Sequence, residues 1–106
     1  MEKRKFRRLR GGFDTKFFVQ RRFSSLWEDA VYPGVVLDIS KGGLCLLSQH
    51  PLSIGQKIRL SIATRGSTLQ VTAIAEIVRV TPRDAGIEIG AKFLYLGPAR
   101  LVDHPA

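Results

Sequence analysis

The sequence predicts an all-β domain, a six- to seven-stranded antiparallel β-barrel preceded by a flexible N-terminal arm. Two observations carry this prediction. Apolar residues alternate with polar ones in short runs along most of the chain, and clusters of Gly, Pro and Ser separate the runs. No segment keeps a helical period for any length. The 106 residues suffice for a single core, and closing the sheet into a barrel removes the exposed edges that a small open sheet would leave.

The N-terminal third combines basic residues with turn signals. Residues 1–12 are polar and basic and end in Gly11-Gly12, which predicts a flexible arm with a hinge. Residues 15–23 mix aromatic and basic side chains and are expected to form the first strand. Residues 24–34 contain an acidic pair and end in Pro33-Gly34, so a loop is expected there.

The next segment alternates strictly, which predicts a half-buried strand. Its inward set is Val35, Leu37 and Ile39, and its outward set is Val36, Asp38 and Ser40. Because side chains alternate between the two faces of a strand, Asp38 and Ser40 should share the solvent face. Gly42-Gly43 should then turn the chain into a return strand over residues 44–48.

Three further strands are expected to complete the barrel, after a connection bounded by Pro51 and Gly55. Their inward residues are Ile58, Leu60 and Ile62, then Leu69, Val71, Ala73, Ala75 and Ile77, then Ile87, Ile89, Ala91 and Phe93. Turns are expected at residues 65–67 and 82–86. Only Arg79 is polar in residues 77–80, so a bulge or twist is expected there. The expected units are an arm (1–12), a barrel (13–97) and a tail (98–106).

Positive charge is concentrated at one end of the chain. Residues 1–22 hold nine Lys or Arg against two acidic residues, and residues 23–106 hold eight against seven. A basic arm of this kind attracts phosphate groups, as in nucleotides or nucleic acids. The alternative is a solvated tail that aids solubility.

Composition argues against several classes of protein. No apolar run approaches the roughly 18 residues of a membrane span, and no apolar segment follows the basic N-terminus as in a secretory signal. The lone Cys45 cannot form an internal disulfide, so a cytoplasmic protein is expected. No acid–base pair, activated nucleophile or metal cluster is apparent, and His50 and His104 are far apart. We therefore expect no enzyme activity, no catalytic residue, no metal and no cofactor.

Two short motifs point to a ligand. RKFRR places Arg4 and Arg8 four residues apart in the arm, and DISKGG places Asp38, Ser40 and Gly43 at the end of a strand. With IGAKF at residues 89–93, they resemble the RxxxR arm, the [DN]xSxxG motif and the last barrel strand of the PilZ family. This family comprises bacterial receptors for the second messenger cyclic di-GMP, and the resemblance covers nearly the whole chain.

The resemblance implies a role for each motif residue. Arg4 and Arg8 would contact phosphate and guanine, and Asp38, Ser40 and Gly43 would line the guanine pocket. Lys3, Arg7 and Arg10 are accessory candidates, and a basic Lys3 is compatible with a stacked ligand dimer. The ligand would order the arm and so signal to an effector protein, from a monomer or a ligand-mediated dimer.

Chemistry independently fits a guanine-containing dinucleotide. The fork of an Arg guanidinium matches the O6 and N7 acceptors of guanine, and its plane stacks on purines. The N1 and N2 donors of guanine need acceptors such as Asp38 and Ser40. A glycine at position 43 lets the backbone turn tightly and approach the ligand.

Two other functions fit parts of the sequence. A small basic barrel could bind single-stranded nucleic acid through the arm and exposed aromatic residues, namely Phe6, Phe13, Phe17 and Phe18. The carboxylate of Asp38 would repel its phosphate backbone. The other alternative is a PilZ-like adaptor that docks partners without ligand. Asp38 and Ser40 would then only cap a turn. Trp27 is expected to pack over a barrel end, or else to lie in a partner-binding loop.

Overall fold

The computed structural model describes residues 13–63 and 70–98, which form six β-strands and, within those ranges, no helix. The strands are β1 (Phe13–Gln20), β2 (Trp27–Ile39), β3 (Gly43–Ser48), β4 (Lys57–Ala63), β5 (Gln70–Arg83) and β6 (Gly86–Pro98). The predicted arm, the turn at residues 65–67 and the tail beyond residue 98 lie outside the described residues. The described part of the chain contains no helix that could cross a membrane.

The six strands close into an antiparallel barrel, as the alternation predicts. Their order around the barrel is β1-β2-β3-β6-β5-β4, and β1 pairs with β4 to complete the ring. Each strand therefore has a neighbour on both sides over at least part of its length. Closure removes the open edges that would otherwise pair with other chains.

The barrel interior is a single hydrophobic core. Alternation correctly predicts the inward faces of β4 and β5, where Ile58, Ala73 and Ile77 have no exposed surface. Small alanines at these positions leave room for larger side chains from the facing strands. The other buried hydrophobic residues are Phe17, Val19, Val36, Leu44, Leu46, Leu52, Leu60, Ile62, Ala75, Ile89 and Ala91.

The predicted loop over residues 24–34 is wrong, because β2 already begins at Trp27. Pro33 lies within β2 opposite Lys16, where β2 pairs with β1 alone. A strand with a neighbour on one side tolerates a residue without an N–H group. Gly34 is buried, and a Cβ there would lie 2.9 Å from Leu46 Cδ1. Both residues thus suit strand pairing and core packing in this setting, although they usually mark turns.

The predicted faces of β2 are also partly wrong. Val36 is fully buried and pairs with Leu46, whereas Asp38 pairs with Cys45, so that Leu37 is an extra residue in a β-bulge. Leu44 and Leu46 point into the core, and Cys45 between them points outward. Residues directly opposite each other share a face. Asp38 therefore faces outward as predicted, but it does so because the bulge reverses the alternation after Val36.

A second bulge confirms the irregularity expected at residues 77–80. Ile77 pairs with Ala91 and Arg79 with Gly90, which leaves Val78 as the extra residue. The following turn is shorter than predicted, because β5 continues through Pro82 to Arg83. Gly86 has a φ of 144°, which L-residues rarely adopt, and it opens β6 directly after the turn.

Candidate functional site

The candidate site is a row of residues that crosses four neighbouring strands on the outside of the barrel. Asp38 of β2 pairs with Cys45 of β3, Cys45 with Gly90 of β6, and Gly90 with Arg79 of β5. Gly90 has no side chain, so the row dips at its centre. A cavity of about 460 Å³ lies over this row, and both bulge residues, Leu37 and Val78, line it. Bulges bend strands, and here they shape the walls of the cavity.

The structure brings three of the predicted ligand residues to this cavity, namely Asp38, Ser40 and Gly43. Asp38 is only 9% exposed. Ser40 closes the β2–β3 turn, because its N–H donates to the Gly43 carbonyl at 2.8 Å and its hydroxyl reaches the same oxygen at 3.4 Å. The Ser40 side chain therefore supports the turn, as one of the alternatives proposed. Arg4, Arg8, Lys3, Arg7 and Arg10 lie outside the described residues.

Gly43 is needed for space, because β3 and β6 approach closely here. It is buried, and a Cβ at this position would collide with the carbonyl oxygen of Ala91. Neither Gly42 nor Gly43 adopts a left-handed backbone conformation. The sequence predicted that Gly43 is needed for its conformational freedom, and this reason is wrong. The Gly42 carbonyl accepts a hydrogen bond from Phe93 N–H at 2.8 Å. The turn is thus anchored to β6.

The sequence-based site omitted the charged residues on β5 and β6. The Arg79 guanidinium covers Gly90, since a Cβ on Gly90 would lie 2.9 Å from Arg79 Cζ. Glu88 Oε1 accepts a hydrogen bond from Arg83 Nε at 2.8 Å. Glu88 Oε2 lies 3.8 Å from Arg79 Nη2. Lys92 also lines the cavity. One signal was available, because Arg79 is the only polar residue in an apolar run.

Cys45 and Glu88 change each other's ionisation. The Cys45 thiol donates a hydrogen bond to Glu88 Oε2 at 3.2 Å. Burial, followed by this bond and the charge of Glu88, raises the pKa of Cys45 to about 11. Hydrogen bonds from Cys45 and then Arg83 lower the pKa of Glu88. Cys45 is therefore a protonated strand residue at neutral pH. No group of three or more His, Cys, Asp or Glu in the described ranges could hold a metal ion.

The folded protein should react slowly with thiol reagents. A pKa of about 11, against 9.0 for a free thiol, lowers the thiolate fraction near neutral pH about 100-fold. The more basic thiolate is intrinsically more nucleophilic, so the net effect is roughly tenfold. We expect iodoacetamide at mildly alkaline pH to alkylate native Cys45 about ten times more slowly than the urea-unfolded chain. The alkylation rate of glutathione, measured with and without urea, corrects for the effect of the solvent. Equal corrected rates for native and unfolded Cys45 would contradict the buried, hydrogen-bonded environment described for this thiol.

Two of the four aromatic residues proposed for nucleic-acid stacking pack in or against the core. Phe17 is fully buried in the core, Phe13 packs against the core, and Phe6 lies outside the described residues. Phe18 and Trp27 instead flank Arg59, whose Cζ lies 4.7 and 5.0 Å from their ring centroids. Trp27 is the first residue of β2 and does not lie in a loop. Of the four aromatic residues that this alternative invoked, the structure thus assigns Phe13 and Phe17 to core packing.

Comparison with protein-family models gives a match over nearly the whole chain. The model of the PilZ domain matches residues 2–102, a range that contains both sequence motifs. No curated protein and no solved structure matches the chain. The family assignment therefore depends on the sequence pattern, and the closed six-stranded barrel is consistent with it.

Proposed function

The chain belongs to the PilZ domain family, and on that premise we propose that it is a receptor for cyclic di-GMP. PilZ domains in general bind this dinucleotide and are binding modules, not catalytic ones. The proposed site is the cavity over Asp38, Ser40 and Gly43 on the outer face of the barrel. The observation that carries the proposal is that Asp38, Ser40 and Gly43 of the DxSxxG motif line one cavity on the outside of the barrel together with the charged residues Arg79, Glu88 and Lys92.

The cavity offers complementary groups for both parts of the ligand. The two carboxylate oxygens of Asp38 can accept the N1 and N2 hydrogens of one guanine, because both acceptors lie side by side on one side chain. Arg79 and Lys92 on the other side supply positive charge for a phosphate. The guanidinium of Arg79 lies over Gly90, where its plane can stack on a flat base.

The register of β1 supports a contact between residues before Phe13 and a ligand in this cavity. Phe13, the first residue of β1, pairs with Val36, and the strands are antiparallel. Phe13 therefore lies beside the end of β2 that carries Asp38. Arg8 lies five positions and Arg4 nine positions before Phe13, which allows a span of at most about 18 and 32 Å. Both Arg side chains, with Lys3, Arg7 and Arg10 as accessory contacts, can thus reach a ligand bound at Asp38.

Signalling would follow from ordering of the arm. Each charge-assisted contact contributes roughly 1.5–3 kcal/mol, and several together can offset the entropy of ordering a short segment. An arm held over the ligand would present a new surface to an effector protein. This step requires no chemistry by the receptor, in keeping with a binding module.

Isothermal titration tests the proposal. We expect saturable binding of cyclic di-GMP with a Kd of about 1 μM or tighter, and loss of binding in Arg4→Ala and in Arg8→Ala. Lys5→Ala is the matched control, because it removes a charge from the same arm outside the motif and should bind nearly normally. Absence of heat at tens of micromolar ligand would contradict the proposal and favour the ligand-independent adaptor.

A further inference from the structure

A second surface lies at the far end of β2, about 40 Å along the strand from Asp38. It consists of two neighbouring loops, the β1–β2 loop (residues 21–26) and the β3–β4 loop (residues 49–56). Arg21 N–H donates to the Leu26 carbonyl at 2.8 Å and closes the first loop. Residues of both loops line one cavity of about 450 Å³. We call these residues the loop-end surface.

Three large apolar side chains protrude from the loop-end surface. Phe23 is fully exposed, and Leu26 and Ile54 are 62% and 66% exposed. Phe23 also has a φ of 55°, a left-handed conformation that is strained for a bulky residue. The fold thus holds an aromatic ring in water at some cost. Such a feature usually serves an interaction.

Positively charged side chains lie beside two of these apolar tips, Phe23 and Ile54, whereas the acidic pair Glu28-Asp29 follows Leu26 in the chain. Arg21, Arg22 and Lys57 border the same cavity, and none of the residues that line it is acidic. Glu76 lies opposite Lys57 in the β4–β5 register and partly balances that charge, whereas both arginines belong to a loop without a carboxylate. Apart from Phe23 and Ile54, the residues that line this cavity are polar residues or glycine, such as Gln20, Ser53 and Gln56.

We propose that the loop-end surface binds membranes that contain anionic lipids. Protruding apolar tips with Arg21, Arg22 and Lys57 beside them fit the boundary between lipid headgroups and acyl chains, where Phe and Leu insert and Arg and Lys meet phosphate. A protein partner would more often need an apolar groove, whereas the large apolar residues that line this cavity are Phe23 and Ile54 alone. The contact with the membrane would be peripheral. The cavity at Asp38 lies at the opposite end of β2 and would remain accessible. The membrane contact does not depend on dinucleotide binding.

Vesicle binding and intrinsic fluorescence test this proposal together. Trp27 is the only tryptophan, and it lies opposite Gln20 beside the loop-end surface. With vesicles of mixed phosphatidylglycerol and phosphatidylcholine, the full chain should sediment, and its emission should shift to shorter wavelength as water leaves Trp27. Phosphatidylcholine vesicles should give neither effect. The variant Phe23→Ser/Leu26→Ser/Ile54→Ser should bind at least about tenfold more weakly.

Two controls separate insertion from simple attraction of the basic arm. Leu96→Ser removes a side chain of similar exposure on β6 and should bind normally. Arg4→Ala/Arg8→Ala should retain the emission shift, because it leaves the loops intact. Full binding by the triple-serine variant would show that the arm alone binds the vesicles and would overturn the proposal. Failure of the wild-type chain to bind would also overturn it and would favour an acidic protein partner.

Discussion

Replacing Gly43 with alanine is expected to lower the melting temperature by roughly 10–20 °C. The new Cβ would collide with the carbonyl of Ala91 and would lie 3.1 Å from Lys92 Cα, and both neighbours are backbone atoms that cannot rotate away. The two strands must separate, at a cost of roughly 3 kcal/mol, and each kcal/mol lowers the melting temperature of a domain this size by about 4–8 °C.

Gly42→Ala is the matched control for this prediction. The two glycines are adjacent in the same turn, but a Cβ on Gly42 has no atom within 4 Å. Its substitution should change stability by no more than about 0.5 kcal/mol. Thermal unfolding followed by circular dichroism compares the two variants directly. Equal melting temperatures would show that β3 and β6 do not approach as closely as described.

Replacing Asp38 with asparagine is expected to weaken cyclic di-GMP binding at least about 100-fold. The proposed contact uses two carboxylate oxygens to accept two guanine hydrogens, whereas Asn offers one acceptor and one donor. The substitution removes one charge-assisted bond, weakens the other and opposes a donor to a donor, a combined loss of about 3–5 kcal/mol. Asp84→Asn makes the same change in the exposed β5–β6 turn and should have no effect.

Base preference gives a sharper readout of Asp38. Adenine presents one acceptor and one donor on the corresponding edge, which Asn can match and Asp cannot. The ratio of the affinities for cyclic di-GMP and cyclic di-AMP should therefore fall in Asp38→Asn, beyond the general loss of affinity. Unchanged titration of both ligands would mean that Asp38 serves the turn and not the base. Melting curves of the free variant separate this outcome from misfolding.

Most of the strands could be predicted from the sequence because they depend on the local alternation of apolar and polar residues. The inward residues of β4, β5 and β6 have period two, and a strand exposes and buries side chains with the same period. Pro33 and Gly34 were misleading because local turn preference competes with pairing. In the barrel, Pro33 occupies a stretch of β2 with one neighbour, and Gly34 makes room for core side chains.

The residues of the site also differ in how far the sequence alone predicted them. The sequence by itself determined the family and the concentration of positive charge at the N-terminal end, whereas it predicted the outward position of Asp38 for the wrong reason. Only the tertiary structure decided that Leu37 bulges, that Gly43 makes room for Ala91, and that Arg79 covers Gly90 next to Glu88. These features join residues that lie about 10 to 50 positions apart, and they follow from how the barrel closes. A local pattern predicts which face of a strand a residue occupies, but the distance between two strands is set only when the strands pair.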